Sequence, residues 1–475
     1  AWKAGAQRWG VEGAFYPETT AFNGPLILPP DVGKEFREIY LGRWAKERMS
    51  AHTRDWCRFD SGLRAVTTTR RARYSWISHM VSSGSELAVQ AWWRFRYTGD
   101  VAWLRTQAYP LLRGAAEFYR NLAKKGGDGR YHIFGTNRHE AFWGVNDGQL
   151  DLAAIRGTLP LAVRAAEMLN LDSDLRAKWQ ELLENLTPYT MGSDPESKAL
   201  EGGVLAEDVW SVGHLGEVQG RHHVIGTALE WPVFPFEDWT LETRDVETDR
   251  IVHKIAELNP TRIEIREGGE FNTAVRTPIS GARMGLGEEL PLMMASYYQK
   301  GFAPLANGFS NFEGPTAHSI EHLGILSTAL QESLLQSVSA RPGEPEVISV
   351  FPAWLQQWQA SFRLLARGGF LVTASLRKGE VLFIEIESRL GEKCRLRNPW
   401  NEPARLSESS GKKGQIQGAI LEFATKKGGR YRFVPASRPS PEPDRIAPLS
   451  TRGPSSYTLR LPNGKVAAAT LGRGR

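Results

Sequence analysis

The chain has 475 residues and a mass of 53.0 kDa; 41% of it is hydrophobic, 10% aromatic and 24% charged, a globular composition with apolar residues enough for two domains. No run of about 18 apolar residues occurs, which excludes a membrane-spanning helix. The net charge of +6 sits in the tail: residues 341–475 hold 23 Lys and Arg against 11 Asp and Glu, leaving 36 basic and 42 acidic residues for 1–340, and with no block of five or six like charges a dedicated nucleic-acid groove is not expected.

In chain order, Ala1–Gly10 (AWKAGAQRWG) reads as the interior of a helix, with neither an initiator Met nor a leader, and predicts a piece of a longer protein. Residues 84–98 (GSELAVQAWWRFRYT) place Leu87, Ala91, Trp92 and Phe95 on one helical face. After the turn Gly99-Asp100, two further helices are expected over Val101–Tyr109 and Leu111–Leu122, jointed at Tyr109-Pro110. Helical periodicity returns over Leu150–Leu169, Ser173–Leu186, Leu290–Lys300 and Ser319–Ser337. Helix pairs joined by aromatic, Gly- and Pro-rich connections are the pattern of a helical toroid, in which each pair buries its apolar face on its neighbours. From Arg341-Pro342-Gly343-Glu344-Pro345 onward the texture is alternating and β-rich: Phe370–Ser375, Val381–Glu387, Cys394–Leu396, Ile420–Phe423 and Tyr431–Val434, with turns such as Arg377-Lys378-Gly379-Glu380. The expected architecture is therefore mainly α: an (α/α)6 helical toroid over residues 1–340, followed by a small antiparallel β-domain, sandwich-like, over 341–475. The Pro- and Ser-rich stretch 436–454 is expected to be loop, as is Leu471–Arg475.

The stretch richest in chemistry is Thr136–Gly157 (TNRHEAFWGVNDGQLDLAAIRG), expected as a loop at one mouth of the toroid. It gathers His139, Glu140, Trp143, Asn146, Asp147 and Asp151. A carboxylate beside aromatic rings loses hydration, its pKa rises, and it can act as a general acid near neutral pH. Aromatic faces beside amides and carboxylates also suit a sugar ring. The same residues can equally be an Asx-rich turn capping the next helix, with Asp147 or Asp151 as its N-terminal anion. Three other stretches resemble loops on the same rim. Gly13–Thr20 carries Glu18 beside Phe15 and Tyr16; Gly213–Pro235 carries His214, Glu217, Arg221, His222, His223, Glu230 and Trp231; Gly308–His322 carries Asn311, Glu313, His318, Glu321 and His322. Glu321 opens a helix that would hold it as a rigid base, or it is a first-turn Glu favoured by the helix dipole.

Neither a metal nor a cofactor is expected. His318 and His322 have helical spacing without an HExxH pattern, and no Walker A or dinucleotide fingerprint occurs. There is no GxSxG elbow either. Cys57 and Cys394 lack a CxxC context and read as unpaired small hydrophobes.

Three segments resemble the catalytic domain of glycoside hydrolase family 95, the inverting α-L-fucosidases and α-L-galactosidases. Tyr97-Thr98-Gly99-Asp100 with Tyr109-Pro110-Leu111-Leu112-Arg113-Gly114-Ala115-Ala116-Glu117-Phe118-Tyr119 is similar to that family's "YTGD…AYPxxKGAAEFY" helical pair. Ala329–Ser337 (ALQESLLQS) resembles its "IAEMLLQS" helix, and Leu365–Val372 (LARGGFLV) its "LRARGGFEV" passage into the C-terminal β-domain. The resemblance runs from about Ser78 to Asn398. It implies that Glu140 stands where the family carries its general acid, although the Pro and Asn of the family's Ser-Pro-Glu-Asn loop are not matched. It also implies that Arg221-His222-His223 and Trp231 approximate the family's sugar-holding loop. Glu321 stands eleven residues before Glu332, where the family has the Asp that activates its base. The family's Asn-x-Asn pair has no counterpart in this chain.

The resemblance implies an inverting, exo-acting, α-L-fucosidase-like hydrolase acting on an oligo- or polysaccharide, and by family habit a secreted or periplasmic setting. Glu140 would donate the proton and Glu321 would polarise water, roughly 6.5–9.5 Å apart as inversion requires. Trp143, Asn146, Asp147, Arg221, His222, His223, Trp231, Glu18 and His318 would contact the sugar. Two alternatives stay open: a uronate lyase using His222, His223 and Arg221, and a non-catalytic carbohydrate binder using the sixteen Trp as platforms.

Overall fold

The computed structural model describes residues 11–16, 31, 35, 45–56, 80–138, 142–200, 202–216, 229–267, 276–293, 320–439, 456–460 and 466–470. The chain divides into two compact units. The first comprises Ala1–Phe95, Asp100–Asp238 and Val246–Ile255; the second comprises Arg96–Gly99, Trp239–Asp245 and Ala256–Arg475. Helical residues from Ala256 onward thus group with the strands of the tail, upstream of the composition change at Ala340.

The first unit is built on helices. Helix α1 (Ser83–Thr98) buries Ala88, Val89, Ala91, Trp92 and Phe95, while Leu87, expected on that face, is exposed. Val101–Trp103, a π turn over Leu104–Ala108 and helix α2 (Tyr109–Leu122) form a continuous helical path where two jointed helices were expected. The Tyr109 N–H bonds to the Leu104 carbonyl, the wider π spacing, just before Pro110. A proline has no N–H and its ring pushes away the carbonyl four residues back, so one widened turn lets the helix pass it. Strands β1 (Lys124–Lys125) and β2 (Tyr131–His132) form a small hairpin, followed by a second between β3 (Thr136–Arg138) and β4 (Phe142–Val145). Helix α3 (Gln149–Leu169) is central, packed against α2 and α4 (Ser173–Glu184) and buried on nearly all sides by Leu150, Leu152, Ala154, Ile155, Leu159 and Ala162. Gly157 permits this closeness: a Cβ there would lie 2.7 Å from the Phe236 carbonyl oxygen. Helix α5 (Val246–Leu258) begins in this unit.

The second unit contains helices α6 (Pro260–Arg266), α7 (Thr277–Arg283) and α8 (Glu321–Leu334), of which α7 and α8 pack together. Helix was expected through Ser337, but it stops at Leu334. Strand β5 (Leu335–Val338) then pairs with β6 (Val347–Val350), because an available partner strand outweighs local helical spacing. The remaining strands are β7 (Ala360–Ala366), β8 (Phe370–Arg377), β9 (Glu380–Ser388), β10 (Cys394–Arg397), β11 (Ala404–Glu408), β12 (Lys413–Ile416), β13 (Ile420–Phe423), β14 (Arg430–Pro435), β15 (Ser456–Arg460) and β16 (Val466–Thr470). They form a four-stranded sheet, β13-β10-β6-β5, and a six-stranded sheet, β12-β11-β14-β9-β8-β7, with β15 and β16 as a separate pair. One core joins the two large sheets, with Ile348, Cys394, Leu396 and Leu421 against Val372, Ala374, Ile384, Ile386 and Phe433. Among the described strands of these sheets the pairings are antiparallel, as expected, apart from β10 with β6, which run parallel. Arg96 binds Glu346 at 2.9 and 3.0 Å and Glu392 at 2.9 and 3.2 Å. The Pro- and Ser-rich stretch is described only up to residue 439, and Leu471–Arg475 lies outside the described residues. Among the described residues no helix is long and apolar enough to cross a membrane.

Candidate active site

The stretch expected as a loop, Thr136–Gly157, is the β3–β4 hairpin followed by the start of α3. Its root is polar and buried. Thr136 and Asn137 are fully buried, and Arg138 is 3% exposed. Burial brings the Arg138 guanidinium down to about 10. The Asn137 side-chain oxygen accepts the Gly144 N–H at 3.2 Å, tying the two strands together. The Thr136 hydroxyl donates to Asp151 at 2.5 Å, and Tyr119 OH donates to the other Asp151 oxygen at 2.8 Å. Burial pushes the Asp151 carboxyl up to about 6, against the opposing pull of those two hydrogen bonds. Asp151 therefore belongs to the anchoring of the hairpin on α2 and α3.

Beside this root lies a row of acids and histidines. Asp147 adopts a left-handed conformation, with φ of 48°, two residues after the end of β4. Its N–H donates to the Ile133 carbonyl at 2.7 Å, and its Oδ1 accepts the Ile133 N–H at 2.9 Å. Its Oδ2 lies 2.7 Å from His132 Nδ1, and His132 Nε2 lies 3.2 Å from Asp128. His214 approaches from a separate stretch. It exchanges backbone hydrogen bonds with Asn146 and sets Nδ1 3.8 Å from Asp147 Oδ2 and Nε2 3.1 Å from Asp194. The Asn146 side chain bridges the same two stretches, accepting the Gly135 N–H at 3.1 Å and donating to the Leu215 carbonyl at 3.4 Å.

The expected site residues fall out as follows. Glu140 lies in sequence between Arg138 and Phe142, which pair across the hairpin, but is itself outside the described residues, as are Glu18, Arg221, His222, His223 and His318. The backbone of Trp143 lies in β4; its side chain is outside the described residues. Glu321 is the first residue of α8, in the second unit, and exposed. Three of the residues expected to contact the sugar have protein partners in the structure. Trp231 is 9% exposed and packs on Phe236, ring centres 6.5 Å apart, as part of the core. Asp147 is 2% exposed, with its carboxylate taken up by Ile133 and His132. Asn146 uses its amide to bridge two backbone stretches.

His132, Asp128 and Asp194 were missed. Only the four-residue spacing of Asp128 and His132 was there to be read, since the partners Asp147, Asp194 and His214 are distant in sequence. Among the described residues no cluster of three or more His, Cys, Asp or Glu side chains is placed to hold a metal ion.

Residues 43–198, which include this hairpin, match the glycosyl hydrolase family 95 catalytic domain. Among individual proteins, it is 23% identical over 196 residues to a kojibiose hydrolase of Mucilaginibacter mallensis, covering 39% of this chain and 28% of that protein. A kojibiose hydrolase of Flavobacterium johnsoniae is 29% identical over 133 residues, covering 26% of this chain and 19% of that protein. The chain thus matches less than a third of the length of these curated relatives. Among solved structures, a human-microbiome protein assigned as a kojibiose phosphorylase aligns over 90% of this chain and 55% of its own, with 10% identity and a TM-score of 0.46.

Proposed function

We propose that the chain is a glycoside hydrolase that cleaves a terminal sugar from an oligosaccharide, and that its helical region belongs to an (α/α)6 toroid. The observation that carries this is the family 95 match over residues 43–198, which includes Glu140, in sequence between two paired strands whose root is buried and hydrogen-bonded. Such a root is a rigid mount, and a proton donor needs one to meet the leaving oxygen in a fixed position. In this reading Glu140 is the proton donor and Glu321 polarises the attacking water, giving inversion. Substrate specificity follows the names of the curated relatives before the α-L-fucosidase pattern, so kojibiose is the first substrate to try.

The test is proton NMR of the full chain with kojibiose and with fucosylated and galactosylated oligosaccharides, alongside Glu140→Gln. A free-sugar anomeric signal that appears with the parent and is lost in the variant is the expected result, with the first anomer giving the stereochemistry. Turnover undiminished in Glu140→Gln removes that residue from the mechanism. An unsaturated product absorbing in the near ultraviolet replaces hydrolysis with elimination.

A further inference from the structure

The His132 imidazole lies between two carboxylates, with Nδ1 2.7 Å from Asp147 and Nε2 3.2 Å from Asp128. An ionised carboxylate only accepts hydrogen bonds, and a neutral imidazole carries a single N–H. A neutral ring can therefore satisfy one partner while turning a lone pair on the other. The charged ring donates to both. We propose that His132 is the proton-operated pin of a latch, Asp128–His132–Asp147, that holds the β3–β4 hairpin in place and is shut when the imidazole is charged.

Asp147 is the part the pin secures. Its left-handed backbone needs outside support, and it stands two residues past the end of β4 with both its N–H and Oδ1 on Ile133. Releasing Oδ2 from His132 would leave that buried oxygen to the more distant His214 Nδ1, at 3.8 Å. The neighbouring Asn146 backbone is paired with His214, so slackening there would pass to the 211–216 stretch. The groups facing His132 are Asp128 from the turn before β2, Asp147 from the segment after β4, and the Phe134 ring at 5.9 Å. His214 faces Asp147 on one side and Asp194 on the other. Burial by itself would lower the His132 pKa, but the hydrogen bonds and charges of Asp147 and Asp128 outweigh it, and the net direction is up. A raised folded-state value means that the latch contributes its full stability below the ordinary imidazole range and loses it as pH rises through the raised value. The importance of the latch for catalysis rests on Glu140 acting as proposed above; the latch itself does not.

Hydrogen exchange read by mass spectrometry on the full chain, from pH 5 to 8.5 and corrected for intrinsic rates, tests it. Peptides spanning 131–147 report on the latch and peptides of α3 serve as the internal reference. Protection of 131–147 is expected to fall as pH rises while that of α3 holds, and His132→Gln is expected to abolish the pH dependence. Protection of 131–147 that is flat with pH in the parent, or the same fall in His132→Gln, overturns the latch. If the variant loses α3 protection as well, the parent's His132 ring protons decide by NMR titration: a midpoint above the ordinary imidazole value supports the latch, and one at or below it overturns it. A chain that hydrolyses nothing yet shows the pH-dependent protection would refute the catalytic reading and leave the latch standing.

Discussion

Asp151→Asn is the most informative single change, because it isolates the cost of a buried charge. Asp151 is 1% exposed, and its carboxyl is pushed from 3.8 up to about 6, chiefly by burial and further by the nearby Asp147 charge, against hydrogen bonds from Thr136 and Tyr119. A carboxyl whose folded value is raised leaves the native state unpenalised below the unfolded value and destabilises it as pH climbs through the folded one. From 3.8 to about 6 is a little over two pH units, which at about 1.4 kcal/mol per unit is about 3 kcal/mol of stability lost between roughly pH 3.5 and pH 7.5. Asparagine keeps the shape, accepts from Tyr119 through its oxygen and donates to the Thr136 hydroxyl through its amide. Urea denaturation of parent and variant at half-unit pH steps reads the difference directly. The variant should match the parent within about 1 kcal/mol near pH 3.5 and gain on it steadily, by about 3 kcal/mol, up to pH 7.5. A stability difference constant with pH refutes the argument, because it would place the same charge penalty in the folded and unfolded states.

Trp179 is fully buried and donates its indole N–H to Glu117 at 2.7 Å, so Trp179→Phe should cost about 1.5–3 kcal/mol in urea denaturation, the usual worth of a hydrogen bond to a charged group. Lys378 occupies a left-handed turn position, φ 50°, so Lys378→Asn should stabilise the chain by about 0.5–1 kcal/mol, seen as a higher melting temperature. Removing Arg96 leaves Glu346 and Glu392 without their shared guanidinium, and Arg96→Met should destabilise by about 3 kcal/mol, read by chemical denaturation.

Much of the tail was legible. Ile420–Phe423 spans the expected residues, and the β8–β9 turn at Lys378-Gly379 takes left-handed angles of 50° and 77° as its residues suggest. Alternation is a local property, so it survives being read one residue at a time. Helix α3 was equally visible, starting one residue before Leu150. The end of α8 was not, because Leu335–Val338 has the spacing of a helix and becomes a strand only in the presence of β6. At the candidate site the composition of the 136–157 stretch showed where polar chemistry gathers. It did not show that Asp147 and Asp151 face inward, or that Trp231 joins a core.

The sequence by itself determined the helical and β-rich halves, the positions of most strands and helices, and the stretch around Glu140 where polar chemistry gathers. These depend on periodicity, turn residues and a recognisable motif order, all carried by neighbours in the chain. Only the tertiary structure decided which polar residues serve as anchors. His132 meets Asp147 across 15 residues, and His214 meets it across a longer span still. A carboxylate's role depends on whether water or a protein donor surrounds it, and that is settled by residues far away in sequence.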